Sequence, residues 1–293
     1  MKELFINYYG EFNCIAEKCN HNCCIYWQIQ IDKKSIRQYR KNAELRKTID
    51  FVNRRFLLIN GRCANLDNDN LCKILKANGK LCQICSDHPR YRNYINNYVE
   101  TGLGLSCEEA CRIILSKEER PYFTKEDVAK KLKGFEKEKY LFREKLLDII
   151  FNDKKELNEK IKEICDIIGF NQYDKPLEFY ANFIEKLNRL EDGFNKKLEK
   201  LKNPEKPIKN YKEYAQILAY FICRHLLGAV DLRDLYSRTA FSILSLRIIN
   251  GMLGEELEIK NLIEVCRSYS TEIEYDEENL NAFWDLTDGL VTI

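Results

Sequence analysis

The sequence predicts a mainly α protein: a cysteine-rich metal-binding N-terminal domain with a small β element over residues 1–120, then a helical bundle domain over 121–293. Three observations carry this expectation. Ten of the thirteen cysteines fall within the first 111 residues. Turn signals such as Asn60-Gly61 and the polar run Asp67-Asn68-Asp69-Asn70 break up the same stretch. After Pro121 the apolar residues recur at helical spacing almost to the end.

Taken in order, Ile25, Trp27, Ile29 and Ile31 alternate with Tyr26, Gln28 and Gln30, the period of a half-buried strand. Asp32 is placed to cap a helix reaching about Leu45, with Ile36 and Tyr39 on one face. A short helix is expected over about 70–77, stopping before Gly79. Another is expected from Ser106, which with Glu109 has the spacing of a capping box. Beyond Pro121, a start at Thr124 with Asp127 three residues on opens a series of helices. They are expected over about 125–151, 154–168, 176–200, 211–227, 231–250, 255–268 and 277–288. Gly169, Gly228, Gly251 and Gly254 stand where these helices should end, and Pro204 and Pro207 break the chain between two of them.

Hydrophobic residues make up 45% of the chain, which excludes a disordered protein. No apolar run approaches a membrane span, and the start MKELFINYYGEF lacks a secretory core, so the expected compartment is the cytoplasm. Residues 1–120 carry 20 Lys/Arg against 14 Asp/Glu, and the remainder 28 against 32. That mild asymmetry falls short of the basic footprint of a nucleic-acid binder. Neither nucleic acid nor a membrane is the expected partner.

In a reducing compartment an odd, dense set of cysteines points to metal rather than to disulfides. Four thiols arrive as Cys14-x4-Cys19-x3-Cys23-Cys24, a second group reads Cys63-x8-Cys72-x9-Cys82-x2-Cys85, and Cys107-x3-Cys111 follows. Soft metals need three or four thiolates at one point. Zinc prefers paired CxxC knuckles, and only Cys82 and Cys85 form one; iron–sulfur clusters accept looser spacings. One site cannot use ten thiols, so there are two sites or some thiols are structural. His21 and His88 lie in the same region as possible ligands or proton carriers. Cys165, Cys223 and Cys266 sit on apolar helix stripes and read as core. Gly102-Leu103-Gly104 lacks the third glycine of a dinucleotide fingerprint and reads as a turn.

The run Cys14-x4-Cys19-x3-Cys23-Cys24-x2-Trp27, ending in Ile31-Asp32, resembles the opening of the flagellin lysine-N-methylase family. So do Cys63-x2-Leu66-x5-Cys72, Leu81-x3-Cys85-x2-His88-Pro89-Arg90 and Leu103-x-Leu105-Ser106-Cys107. More distantly the chain is similar to the zinc- or iron-chelating cysteine domain. The resemblance implies methyl transfer from S-adenosylmethionine to protein lysines, flagellin being the possible substrate, with a [4Fe–4S] cluster as cofactor. It carries the metal ligands to Cys14, Cys19, Cys23, Cys24, Cys63, Cys72, Cys85 and Cys107. His88 stands where the family pattern places Tyr. A polar methyl transfer needs a base for the lysine ammonium, and His88, Asp87 or a tyrosine could serve. Arg90 and Arg92 could pair with a cofactor carboxylate. The alternative from another class is a non-catalytic zinc- or iron-chelating or redox module.

Overall fold

The computed structural model describes residues 1–292 except Tyr26, Asn78, Lys125, Glu126, Asp192, Glu255 and Glu256. In chain order its regular elements are β1 (Lys2–Phe5), α1 (Lys33–Tyr39), α2 (Ala43–Arg46), the two-residue strands β2 (Ile49–Asp50), β3 (Arg55–Phe56), β4 (Leu58–Ile59) and β5 (Arg62–Cys63), then α3 (Lys73–Lys76) and α4 (Gln83–Asp87). There follow β6 (Arg90–Ile95), β7 (Tyr98–Leu103), α5 (Glu108–Leu115), α6 (Gly134–Ile150), α7 (Leu157–Ile168), α8 (Leu177–Ile184), α9 (Phe194–Leu198), α10 (Lys212–His225), α11 (Leu232–Met252), α12 (Ile259–Glu274) and α13 (Glu277–Asp288). The fold is mainly α. Among the described residues no helix is long and apolar enough to cross a membrane.

Apolar side chains form two cores. The larger joins Leu4, Tyr91, Ile95, Leu103 and Ile114 to the helices from α6 to α13. Thus β1, the β6–β7 hairpin and α5 share one interior with the bundle. The three strands form a sheet in the order β1-β7-β6, with β1 parallel and β6 antiparallel to β7. The smaller core gathers Ile29, Ile31, Ile36, Tyr39, Ile49, Phe56, Leu66 and Ile74 around Cys63 and Cys82.

Several expected elements differ, each for a local reason. The segment 25–31 alternates in burial, with Ile29 and Ile31 inside, but is not a strand. Ile25 and Gln30 make only isolated bridges, to Arg62 and Arg55, because β3 and β5 are too short to extend a ladder; Tyr26 lies outside the described residues. Asp32 does cap α1, its carboxylate accepting the amides of Lys34 and Ser35. The helix stops at Tyr39 rather than Leu45, because Asn42 accepts the amides of Glu44 and Leu45 and starts α2. Asp67 likewise turns the chain by accepting the amides of Asp69 and Leu71, which delays the helix expected from 70 to Lys73.

The Ser106–Glu109 capping box is absent. Cys107 is the N-cap, and the Glu109 carboxylate is taken by Arg112 at 2.6 and 2.8 Å. The helix expected from 125 starts only at Gly134; Lys125 and Glu126 lie outside the described residues, as do Glu255 and Glu256 at the expected start of α12. The single helix expected over 176–200 is two, α8 and α9. The buried Glu272 carboxylate accepts the amides of Leu190 and Glu191, at 3.1 and 2.5 Å, and pulls the chain out of helix. Gly169 ends α7 at φ +61°, as expected, whereas Gly251 lies inside α11 and Gly102 inside β7. The hairpin was readable: Asn96-Asn97 separates two runs rich in Tyr, Ile and Val, a two-residue connection of hairpin type.

Candidate metal centre and adjoining seam

Five thiols belong to the small core. Cys63 and Cys82 are buried in it, and Cys24, Cys72 and Cys85 pack against it. Short hydrogen bonds fix the loops that carry them. The Cys63 amide donates to the Cys24 carbonyl at 2.8 Å, and Cys72 bridges Leu66. Asp32, having capped α1, also accepts the Gln83 amide at 2.9 Å, tying the Cys82–Cys85 turn to α1. Cys72 and Cys82 are the N-caps of α3 and α4, and burial raises the Cys72 thiol despite the backbone N–H groups of Leu75 and Ile74, which favour the thiolate. A hydrogen bond between Cys85 and Cys82 pushes the Cys85 thiol far up and lowers Cys82. Cys23 and Cys24 form a second such pair, with Cys24 lowered.

Cys107, the N-cap of α5, packs at the edge of the larger core, and Cys14, Cys19 and Cys23 lie within electrostatic reach of it. Glu108 organises this group. Its carboxylate accepts the Asn20 amide at 2.8 Å, the Asn20 side chain at 2.8 Å, the His21 amide at 3.3 Å and the Cys19 thiol at 3.6 Å. The His21 ring reaches Glu264 of α12 at 2.5 Å. Burial raises Cys19 to about 12 and Cys107 to about 11, so both thiols stay protonated until a cation competes for the sulfur.

All eight cysteines expected as ligands are therefore in these two groups. Cys82, which the motif match left out, stands among them. Among the described residues no three Cys, His, Asp or Glu side chains are drawn to a single point closely enough to hold an ion. The donor chemistry still fits a soft metal: the groups consist of sulfur, and His21 and His88 are engaged elsewhere. Cys111, Cys165, Cys223 and Cys266 are buried in the larger core, as expected of the late three.

Beside the thiols, the cysteine-rich part meets the bundle through aromatic rings. Trp27 lies 5.0 Å from His88 and 5.1 Å from Tyr275, ring centre to ring centre. Burial, then the charges of Arg224 and Arg90, push the His88 imidazole down to about 4, so it is neutral at pH 7. Arg224 lies over the Tyr275 ring at 5.0 Å and donates to the Tyr220 hydroxyl at 2.6 Å. Behind it the Glu274 carboxylate is fully buried. It pairs with Arg224 Nε at 3.1 Å and His225 Nε2 at 2.6 Å, and accepts from Tyr220 at 2.9 Å and Ser270 at 2.5 Å. Gly104 lets this junction close. A Cβ there would meet Tyr275 Oη at 2.8 Å, the Pro89 carbonyl oxygen at 2.9 Å and Arg224 Nη1 at 3.0 Å.

Arg90 sits close by, but its guanidinium lies over the rings of Tyr9 and Phe12 and donates to Tyr9 Oη at 2.8 Å and the Ser86 carbonyl at 3.1 Å. Arg92 pairs with Asp87 at 2.9 Å. Arg247 turns away from the thiols, bound to Glu205 at 2.6 Å. Sequence reasoning missed Glu108, Glu274 and Tyr275. Thr271-Glu272-Ile273-Glu274-Tyr275-Asp276-Glu277-Glu278 reads as a solvated acidic run, and only Arg224-His225 on α10 hinted at a buried partner. A cavity of about 490 Å³ opens between Cys165, Gly169, Phe170 and Leu290, and none of the early cysteines lines it.

Comparison with known proteins finds 32% identity over 136 residues with the flagellar biosynthetic protein FliU of Salmonella muenchen, covering 40% of this chain and 80% of that protein. It finds 27% identity over 137 residues with the lysine-N-methylase of Salmonella typhimurium and 29% over 135 residues with that of Salmonella choleraesuis. Each covers 40% of this chain and 34% of the methylase, so the match spans about a third of those longer proteins. No family model and no solved structure matches the chain.

Proposed function

The chain belongs to the family of the flagellar biosynthetic protein FliU, and from that premise we propose that it is an iron–sulfur protein-lysine N-methyltransferase of the flagellin type. The observation that carries the reading is the stretch it shares with two lysine-N-methylases. S-adenosylmethionine would be the methyl donor and flagellin the first acceptor to try. A [4Fe–4S] cluster would take its four thiolates from among Cys14, Cys19, Cys23, Cys24, Cys63, Cys72, Cys85 and Cys107 and when bound supplies a redox-active, Lewis-acidic iron; zinc is the alternative.

The seam beside the thiols suits a lysine. Its ammonium has an ordinary pKa of about 10.4 and must shed a proton before it can attack a methyl group. The rings of Trp27, His88 and Tyr275 remove water, and burial, helped by the field of Arg224 and Arg90, already holds His88 neutral. The same burial and positive field would lower the pKa of an arriving ammonium. A neutral His88 accepts a hydrogen bond from the amine without repelling it. Being so weak a base, His88 orients the neutral amine, while the ammonium's proton leaves to solvent as the side chain loses its water. Arg90, held under Tyr9 and Phe12, would present its remaining N–H face to a carboxylate of the donor.

The test is to incubate anaerobically purified protein with S-adenosylmethionine and flagellin, and to read mass shifts on lysine peptides. Protein that holds iron and sulfide yet neither binds the donor nor methylates flagellin, or any protein in a lysate of the native cell, refutes the enzyme and leaves a chelating or redox module.

A further inference from the structure

We propose that the early cysteines form two separate metal sites rather than one, the second made of Cys14, Cys19, Cys23 and Cys107. The inference rests on the metal reading above and adds the number and composition of sites. Its geometric basis is that the two groups are anchored to different bodies. Cys24, Cys63, Cys72, Cys82 and Cys85 all pack in the small core. Their loops are tied to one another and to α1, through the Cys63–Cys24 backbone bond of 2.8 Å, the Asp32–Gln83 bond of 2.9 Å and the bond of 2.8 Å from Tyr39 Oη to the Lys80 carbonyl. Cys107 instead packs against the larger core at the head of α5.

The Cys19 loop is bound to that head through the four contacts of Glu108 and the His21–Glu264 contact of 2.5 Å with α12, and Asn22, next along the chain, donates to the Asn70 carbonyl at 3.2 Å on the side of the small core. The vicinal Cys23 and Cys24 are where the groups meet. Their thiols hydrogen-bond to each other, so the two sites abut here and each takes one thiol of the pair. Four thiols satisfy one tetrahedral ion or one cubane, and five cannot share one such site with four others. Glu108, one residue after Cys107, is the positioning residue of the second site: its acceptor oxygens hold the Cys19 turn where the Cys107 sulfur can reach the same ion.

The experiment is a cobalt(II) titration of the reduced, metal-free full chain, following the thiolate-to-cobalt absorption. Binding is expected to saturate at two ions per chain. The double variants Cys19→Ser/Cys107→Ser and Cys63→Ser/Cys72→Ser should each saturate at one, with their difference spectra summing to that of the parent. Saturation of the parent at one ion, or loss of both ions in a double variant that retains native helical circular dichroism, overturns the proposal. Glu108→Ala removes no sulfur and guards against a variant that fails to fold. It should weaken one of the two binding steps about tenfold or more and leave the other unchanged, and equal weakening of both also overturns it. No cobalt bound at all would refute the metal reading itself, and absence of methylation has no bearing on the count.

Discussion

Replacing Glu274 by Ala tests whether the seam is held by a buried charge. The carboxylate has no exposed side-chain surface and Arg224 about 12%, so its removal leaves a guanidinium with little access to water and no counter-ion. Breaking a buried pair in this way costs about 3–5 kcal/mol. Tyr220, His225 and Ser270 also lose their common acceptor, but these losses share one cavity and do not add in full. Against a total stability of about 5–15 kcal/mol, the change is large. For a chain of this size it corresponds to a fall in Tm of about 2–4 °C per kcal/mol, or roughly 6–20 °C. Glu274→Gln keeps the shape and part of the hydrogen bonding and should fall between parent and Ala variant. The assay is thermal unfolding by circular dichroism, with Glu44→Ala, in an exposed pair with Lys47, as a control expected to leave Tm unchanged. A Tm for Glu274→Ala within 2 °C of the parent would refute the reasoning, since Arg224 would then have water or another anion at hand.

Acid should destabilise the same network. Burial raises Glu274, but Arg224, His225 and Ser270 outweigh it and hold the carboxyl below its ordinary range; burial likewise lowers His225. Both groups therefore stabilise fully above their unfolded pKa values, about 4.3 and 6.5, and that stability is lost as pH falls through the folded ones. Urea midpoints measured from pH 7 to pH 4 should decline, less steeply in Glu274→Gln. Gly104→Ala should cost about 1–3 kcal/mol, because the Pro89 carbonyl oxygen at 2.9 Å from the new Cβ is backbone and cannot step aside; chemical denaturation checks this. Asp32→Ala removes a helix cap worth about 0.5–2 kcal/mol and frees the Cys82–Cys85 turn, so stability and metal content should fall together. His88→Phe should lower methylation about 10²-fold with metal retained, through lost orientation of the amine; an unchanged rate would remove His88 from the chemistry.

Elements ruled by their own residues were legible. The Asp32 cap, the Gly169 terminus and α10, α11 and α13 follow from capping and helical periodicity. The failures came from side chains that act at a distance. Asn42 diverts α1 and Glu272 unwinds the middle of the helix expected over 176–200, and neither leaves a mark on hydrophobic spacing. At the candidate centre the clustering of early cysteines in the sequence pointed to the two thiol groups. It could not say that Glu108 gathers one group while Asp32 gathers another, because each contact joins residues more than 50 positions apart.

Helix α12 reaches the cysteine-rich part near both of its ends. Glu264 near its start holds His21, and Tyr275, just past its last residue, packs against Trp27. Eleven residues separate Glu264 from Tyr275, roughly 16 Å along the helix. A body gripped at one point can swivel about it; one gripped at two points along a stiff rod keeps its heading. The thiol-bearing loops are therefore aimed as well as attached, and a force that turned them would have to break the His21–Glu264 contact at one end of the rod or the aromatic contact at the other.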